Sequence, residues 1–128
     1  MEKGWLWSGG WLSFTMVGPN AFIAVYILAS GRNGTLYVGV TSALGDRVQQ
    51  HKLGVFEGFS KRFGCSTLVW LEEHGTMLEA IRREKQLKRW RREWKLALVE
   101  RDNPDWRDLS DGWFDVPEGP LSWTQRRP

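Results

Sequence analysis

The chain has 128 residues, 41% of them hydrophobic and 26% charged, with a formal net charge of +3. That length supports one domain with a real core and excludes two. Its single cysteine, Cys65, excludes a disulfide framework or a multi-cysteine zinc site and fits a reducing, cytoplasmic setting; with no apolar run near the roughly 18 residues of a membrane helix, no membrane partner is expected.

Residues 1–20, MEKGWLWSGGWLSFTMVGPN, are apolar and Trp-rich, but glycines interrupt them and only Lys3 brings positive charge. A secretory signal needs a basic start, a continuous apolar stretch and a small-residue cleavage site. The segment is therefore expected to be a poorly ordered extension, or the product of a translation start placed too early, with Met16 as the alternative.

AFIAVYIL (21–28) is β-branched and aromatic, as a buried strand should be. TLYVGVT (35–41) is a second strand, with Leu36, Val38 and Val40 alternating against Thr35, Tyr37, Gly39 and Thr41. Between them, SGRNG offers two tight turns, at Gly31-Arg32 or at Asn33-Gly34. Either turn puts Tyr26 and Tyr37, the chain's two tyrosines, on one face of the ribbon, because side chains alternate with a period of two. The Gly31-Arg32 turn sets them directly opposite each other.

A helix over about 42–53 follows, with Ser42 as its expected N-cap and Leu44, Arg47, Val48 and His51 on one stripe. STLVWLEE (66–73) reads as a third strand, and TMLE (76–79) as a capping box opening a helix that runs to about Glu100. On that helix Ala80, Leu87, Trp94 and Leu98 form the apolar stripe, and Glu84 and Arg91 occupy its missing steps. A carboxylate on a core-facing position needs either an ion-pair partner or a metal. Residues 82–95 carry eight basic side chains against two acidic, whereas residues 102–118 carry six acids against one arginine. The basic run suits a polyanion, or is simply a solvated helix face. These elements predict an α+β domain, a small three-stranded antiparallel sheet flanked by helices, over residues 21–101, followed by an acidic tail over 102–128.

The order of residues resembles the GIY-YIG nuclease superfamily, most closely its small stand-alone bacterial members. The first motif is Ala24-Val25-Tyr26 and the second Tyr37-Val38-Gly39, with the tyrosines eleven residues apart. The resemblance continues through Thr41, LGDRVQQHK, GFSKRFG, Glu84 and NPDWRDLS, covering about residues 21–110. It implies a divalent-metal-dependent endonuclease that hydrolyses nucleic-acid phosphodiesters, with magnesium as the usual ion and manganese as the substitute. It also implies roles: Tyr26 beside the attacking water, Tyr37 in support, Arg47 on the scissile phosphate, His51 tuning a tyrosine and Glu84 holding the metal. Gly39, Thr41, Lys61, Arg62, Lys88 and Arg91 are the expected nucleic-acid contacts, with Gly39 leaving the sheet open to a phosphate. Ala-Val replaces Gly-Ile in the first motif, and Lys95 stands where several larger relatives carry an asparagine.

The chemistry of the residues agrees with those roles. A phosphoryl transition state needs cations, and arginine offers a planar donor fork. A phenol titrates near 10 and needs positive neighbours to serve as a base; Arg47 and a metal at Glu84 are expected to lower that value. Without a recognition module, the expected substrate is DNA read by shape (flaps, branches or single strands), with RNA as an alternative and DNA repair as the setting. The expected state is a monomer or weak dimer. Competing readings are a nucleic-acid-binding module without catalysis, and a protein-interaction domain using the basic helix, which the acidic tail could cover in cis.

Overall fold

A computed structural model describes residues 22–55 and 58–114, so the expectations for residues 1–20 and for the end of the acidic tail lie outside the described residues. The elements are β1 (Ile23–Ala29), β2 (Leu36–Thr41), α1 (Leu44–Leu53), α2 (Phe59–Arg62), β3 (Thr67–His74), α3 (Met77–Arg89) and α4 (Arg92–Asp102). The sheet has the order β2-β1-β3, antiparallel throughout. The α+β architecture is the one expected, a three-stranded sheet between helices. Among the described residues no helix is long and apolar enough to cross a membrane.

The near-continuous apolar run of β1 follows from its central position, which buries both of its faces. Val25, Ile27 and Ala29 join Val38, Val69, Trp70, Ala80, Leu87, Leu98 and Val99 in one core. Ala24, Tyr26 and Leu28 join Leu44, Val48, Cys65 and Leu68 in the other. A register shift at Ile27/Leu28 inserts Val69 as an extra residue in β3, so Trp70 and Leu68 each reach the face that suits them.

The β1–β2 turn is neither of the two-residue turns expected. Ser30 N–H donates to Thr35 O (3.0 Å), and Thr35 N–H donates to Ser30 Oγ (2.9 Å), leaving Gly31 to Gly34 as the loop. Within it Gly34 N–H donates to Gly31 O (2.9 Å), and Asn33 takes φ 57°, a conformation asparagine tolerates. This register is intermediate between the two expected ones. It sets Tyr26 against Gly39 and Tyr37 against Leu28, keeping both tyrosines on one face but diagonal.

Two helix expectations also change. α1 starts after Ala43 without a side-chain cap; Ser42 is not the cap, because Thr41 Oγ1 accepts the Ala43 N–H (2.9 Å) and turns the chain there. The helix from Thr76 does begin with the expected cap, Thr76 Oγ1 accepting Glu79 N–H at 3.1 Å. It does not run unbroken to Glu100. Trp90 (φ −65°, ψ 148°) and Arg91 (φ −61°, ψ 152°) are extended and divide it into α3 and α4. The break lets Trp90 pack on the core and turns both Leu98 and Val99 inward, while Trp94 stays half-exposed instead of completing the stripe. Arg92 then donates to Asn33 O (2.6 Å) and Gly34 O (2.8 Å), fastening α4 to the hairpin turn.

The described residues after α4, 103–114, pack against the sheet. Asn103, Trp106 and Ser110 are buried. Leu109 N–H donates to Leu68 O (2.7 Å), and Asn103 Nδ2 donates to Val69 O (3.1 Å), so this segment covers the outer edge of β3. Asp108 accepts from Lys52 Nζ (2.6 Å), Ser110 Oγ (2.6 Å) and Leu68 N–H (3.3 Å), joining α1 to the same edge. Burial pushes its carboxyl up, but the hydrogen bonds from Lys52 and Ser110 outweigh burial and hold it below the usual aspartate value. Asp102 accepts from Trp70 Nε1 (2.9 Å). Asp102 and Asp108 are thus engaged with the sheet and α1, and these contacts do not cover the basic helix.

Removing the Asn103 amide leaves buried Val69 O and Arg107 N–H without their partner. Asn103→Ala should lower the unfolding free energy by about 1–3 kcal/mol, seen as a lower urea midpoint at unchanged slope.

Candidate active site

The site forms around the Tyr26 phenol, which the central strand carries toward the β2 edge. A Cβ on Gly39 would lie 2.5 Å from both Tyr26 Cζ and Tyr26 Oη, so the missing side chain makes room for this ring. The expectation that Gly39 leaves the sheet open to a phosphate is therefore corrected: the buried glycine is covered by the phenol. Tyr37 lies beside it, with ring centroids 6.3 Å apart, and faces His51 at 5.0 Å.

His51 comes from the last turn of α1, which Gly54 ends in the left-handed conformation (φ 70°) that glycine adopts freely. Its Nε2 is 3.3 Å from Tyr26 Oη, and its Nδ1 is 2.8 Å from Ser60 Oγ. Both residues are buried, and Ser60 sits in the short helix α2. Ser60 is the functional candidate that sequence reasoning passed over. The only signal for it was a small hydroxyl within GFSKRFG, between Phe59 and the basic pair.

The electrostatics draw in the other two candidates. Burial pushes the Tyr26 phenol well above its ordinary value; Tyr37 and Glu84 add to the rise, and Arg47 alone opposes it. The expected lowering of this pKa by Arg47 is thus outweighed, because removing a phenolate from water is the larger effect. Burial first, then Arg47, hold the His51 imidazole below its ordinary value, so it is neutral at pH 7. Tyr26, Tyr37, Arg47, His51 and Glu84 therefore form one cluster, assembled from β1, β2, α1 and α3.

Glu84 has little exposure (12%) and holds Lys88 Nζ at 2.5 Å. This carboxylate already binds a cation, and its hard oxygens suit magnesium, which commonly takes one or two carboxylates together with water and substrate phosphate. Among the described residues no group of three His, Cys, Asp or Glu side chains could hold a metal, so Glu84 would be its one carboxylate from this cluster.

The expected nucleic-acid contacts divide. Lys61 and Arg62 are exposed on α2, and Lys88 flanks Glu84. Thr41 is buried, with its hydroxyl serving the β2–α1 corner, which corrects its place as a contact. Arg91 lies at the helix break, over Trp94 (5.4 Å). Of the basic run, Arg83 pairs with Glu72 (3.0 Å) and lies 5.3 Å over Trp90. Cys65 is a buried core residue whose thiol burial pushes up.

Residues 22–97 match the family model of the GIY-YIG catalytic domain. A UPF0213 protein of Aeromonas salmonicida (strain A449) is 32% identical over 106 residues, covering 82% of this chain and 76% of the relative. A UPF0213 protein of Staphylococcus aureus (strain Mu3 / ATCC 700698) is 33% identical over 75 residues, covering 59% of this chain and 90% of the relative. No solved structure matches the chain significantly.

Two outcomes are expected from this geometry. Gly39→Ala should displace the Tyr26 ring and lower stability by about 1–3 kcal/mol, the usual effect of overpacking, measured by urea denaturation. His51 binds its proton less readily folded than unfolded, so stability is complete above the ordinary imidazole value of 6.5 and falls as pH drops through it. His51→Gln should flatten the dependence of melting temperature on pH between about 7 and 5.

Proposed function

The chain belongs to the GIY-YIG superfamily, whose catalytic domain is that of nucleic-acid-cutting, generally divalent-metal-dependent nucleases, and on that premise we propose that it is a magnesium-dependent endonuclease hydrolysing DNA phosphodiesters. The observation that carries this reading is the contact of Tyr26 Oη with neutral His51 Nε2, within a cluster that includes Arg47 and Glu84.

With Nδ1–H donating to Ser60, Nε2 of His51 faces the Tyr26 hydroxyl as the acceptor of its proton. The phenol oxygen then takes a proton from the attacking water as its own passes to His51. No free phenolate need accumulate, which suits a phenol whose pKa is raised. Arg47 binds the non-bridging oxygens of the scissile phosphate and offsets the charge that builds there. Tyr37 packs against Tyr26 and His51 and holds both rings in position. Glu84 would hold the ion, which supplies Lewis-acid stabilisation of the phosphoryl charge when bound. Lys88, released from Glu84, becomes available to a neighbouring phosphate. The absence of a separate recognition element among the described residues supports reading of backbone shape, as in flaps, branches or single strands, over reading of base sequence.

A cleavage assay on single-stranded, duplex, flap and branched DNA and on RNA, with and without magnesium, tests this reading. Wild-type protein should cut DNA only with magnesium, and Tyr26→Phe and Glu84→Ala should each slow cutting by about 10²-fold or more. Binding without cutting, or equal cutting by all three proteins, would refute it.

A further inference from the structure

We propose that the half-exposed ring of Phe59, backed by Phe63, is a stacking platform for one unstacked nucleobase beside the active site, with Lys88 and Lys95 binding the adjoining phosphates. The proposal rests on the reading of the chain as a nucleic-acid enzyme and adds to it a subsite for the base.

Phe59 and Phe63 lie at the two ends of α2 and remain 49% and 43% exposed, although the sheet faces nearby are closely filled. Leaving two large aromatic side chains half in water forgoes the free energy of apolar burial. Their arrangement is ordered. Phe59 stacks on Tyr37 with an interplanar angle of 29° and centroids 6.5 Å apart, so the catalytic cluster sets its plane. Phe63 supports it from 4.7 Å, and Arg62 lies over Phe63 at 5.5 Å.

Phe59 also lines a groove of about 250 Å³ with Leu36, Tyr37, Val38, Lys88 and Lys95. Lys95 is half-buried there, and its ammonium is pushed below its ordinary value by burial and by Arg92. An anion in the groove would relieve that unfavourable placement. A flat, half-exposed ring beside two ammonium groups matches a nucleotide, with its π-face and phosphate, and base–aromatic stacking is the usual means of holding a strand whose bases are unpaired. An acidic peptide would match the lysines and leave the ring without a role.

Binding is measured by fluorescence anisotropy in EDTA with three labelled probes of about 12 nucleotides: a single strand, the same strand with abasic residues throughout, and a duplex. Wild-type protein should bind the natural strand about 5-fold or more tightly than the abasic one. Phe59→Leu keeps an apolar side chain without the ring; it should abolish that preference while leaving abasic and duplex binding unchanged, and Phe59→Trp should retain it. Lys95→Gln should weaken all three probes and reduce the salt slope by about one unit. Equal wild-type affinity for natural and abasic strands would overturn the platform, as would a Phe59→Leu loss of the same factor on every probe. Cutting without a base preference would refute the platform alone, and a base preference without cutting would refute the nuclease reading alone.

Discussion

The contact between the Tyr26 phenol and the His51 imidazole, made across a bare Gly39, is the constraint on which the rest of the site depends. It needs three elements in register at once: β1 to carry the ring, β2 to present a residue without a side chain, and α1 to end with its histidine inward. Moving the hairpin pairing by two residues would put a side chain other than glycine opposite Tyr26. The phenol would then lose its room, and the histidine its partner.

Burial makes this arrangement chemically particular. A tyrosine exposed beside an arginine would ionise more easily than usual, whereas Tyr26 is held in its neutral form by the core around it. The proton must therefore move with the reaction, and a neutral imidazole fixed by Ser60 is placed to receive it. Glu84 adds to the rise of Tyr26 from the α3 side, so a cation at Glu84 (Lys88 in this structure) also bears on the phenol. The two edges of the sheet serve different ends. The β3 edge is closed by Asn103, Asp108 and Leu109, while the β2 edge borders the groove that holds Tyr37, Phe59 and the two lysines.

Several features of the helical half follow from competition between local and long-range preferences. The stretch KRWRRE (88–93) permits a continuous helix, yet the chain breaks at Trp90 and Arg91 without a proline or glycine. An unbroken stripe would have brought Arg91 inward at one step and Trp94 at the next. Breaking there exposes the charge, packs Trp90 on the core and frees Arg92 to hold the hairpin. The charged step at Arg91 was visible in the sequence, but its resolution depended on carbonyl groups some sixty residues away. The acidic stretch is a similar case. Its composition suggested an acidic tail able to cover the basic helix, whereas its described part lies along the β3 edge.

What the sequence determined by itself was local and periodic: three strands, the Thr76 cap, the common face of the two tyrosines, and the stripe uniting Arg47 with His51. These are legible because a side chain's direction depends on the backbone period within its own element. Only the tertiary structure decided the hairpin register, the reason for Gly39, the neutral state of Tyr26, the place of Ser60 and the packing of residues 103–114 against the sheet. Each of those depends on burial and on hydrogen bonds between residues far apart in the chain, and no local pattern records the free energy of such contacts.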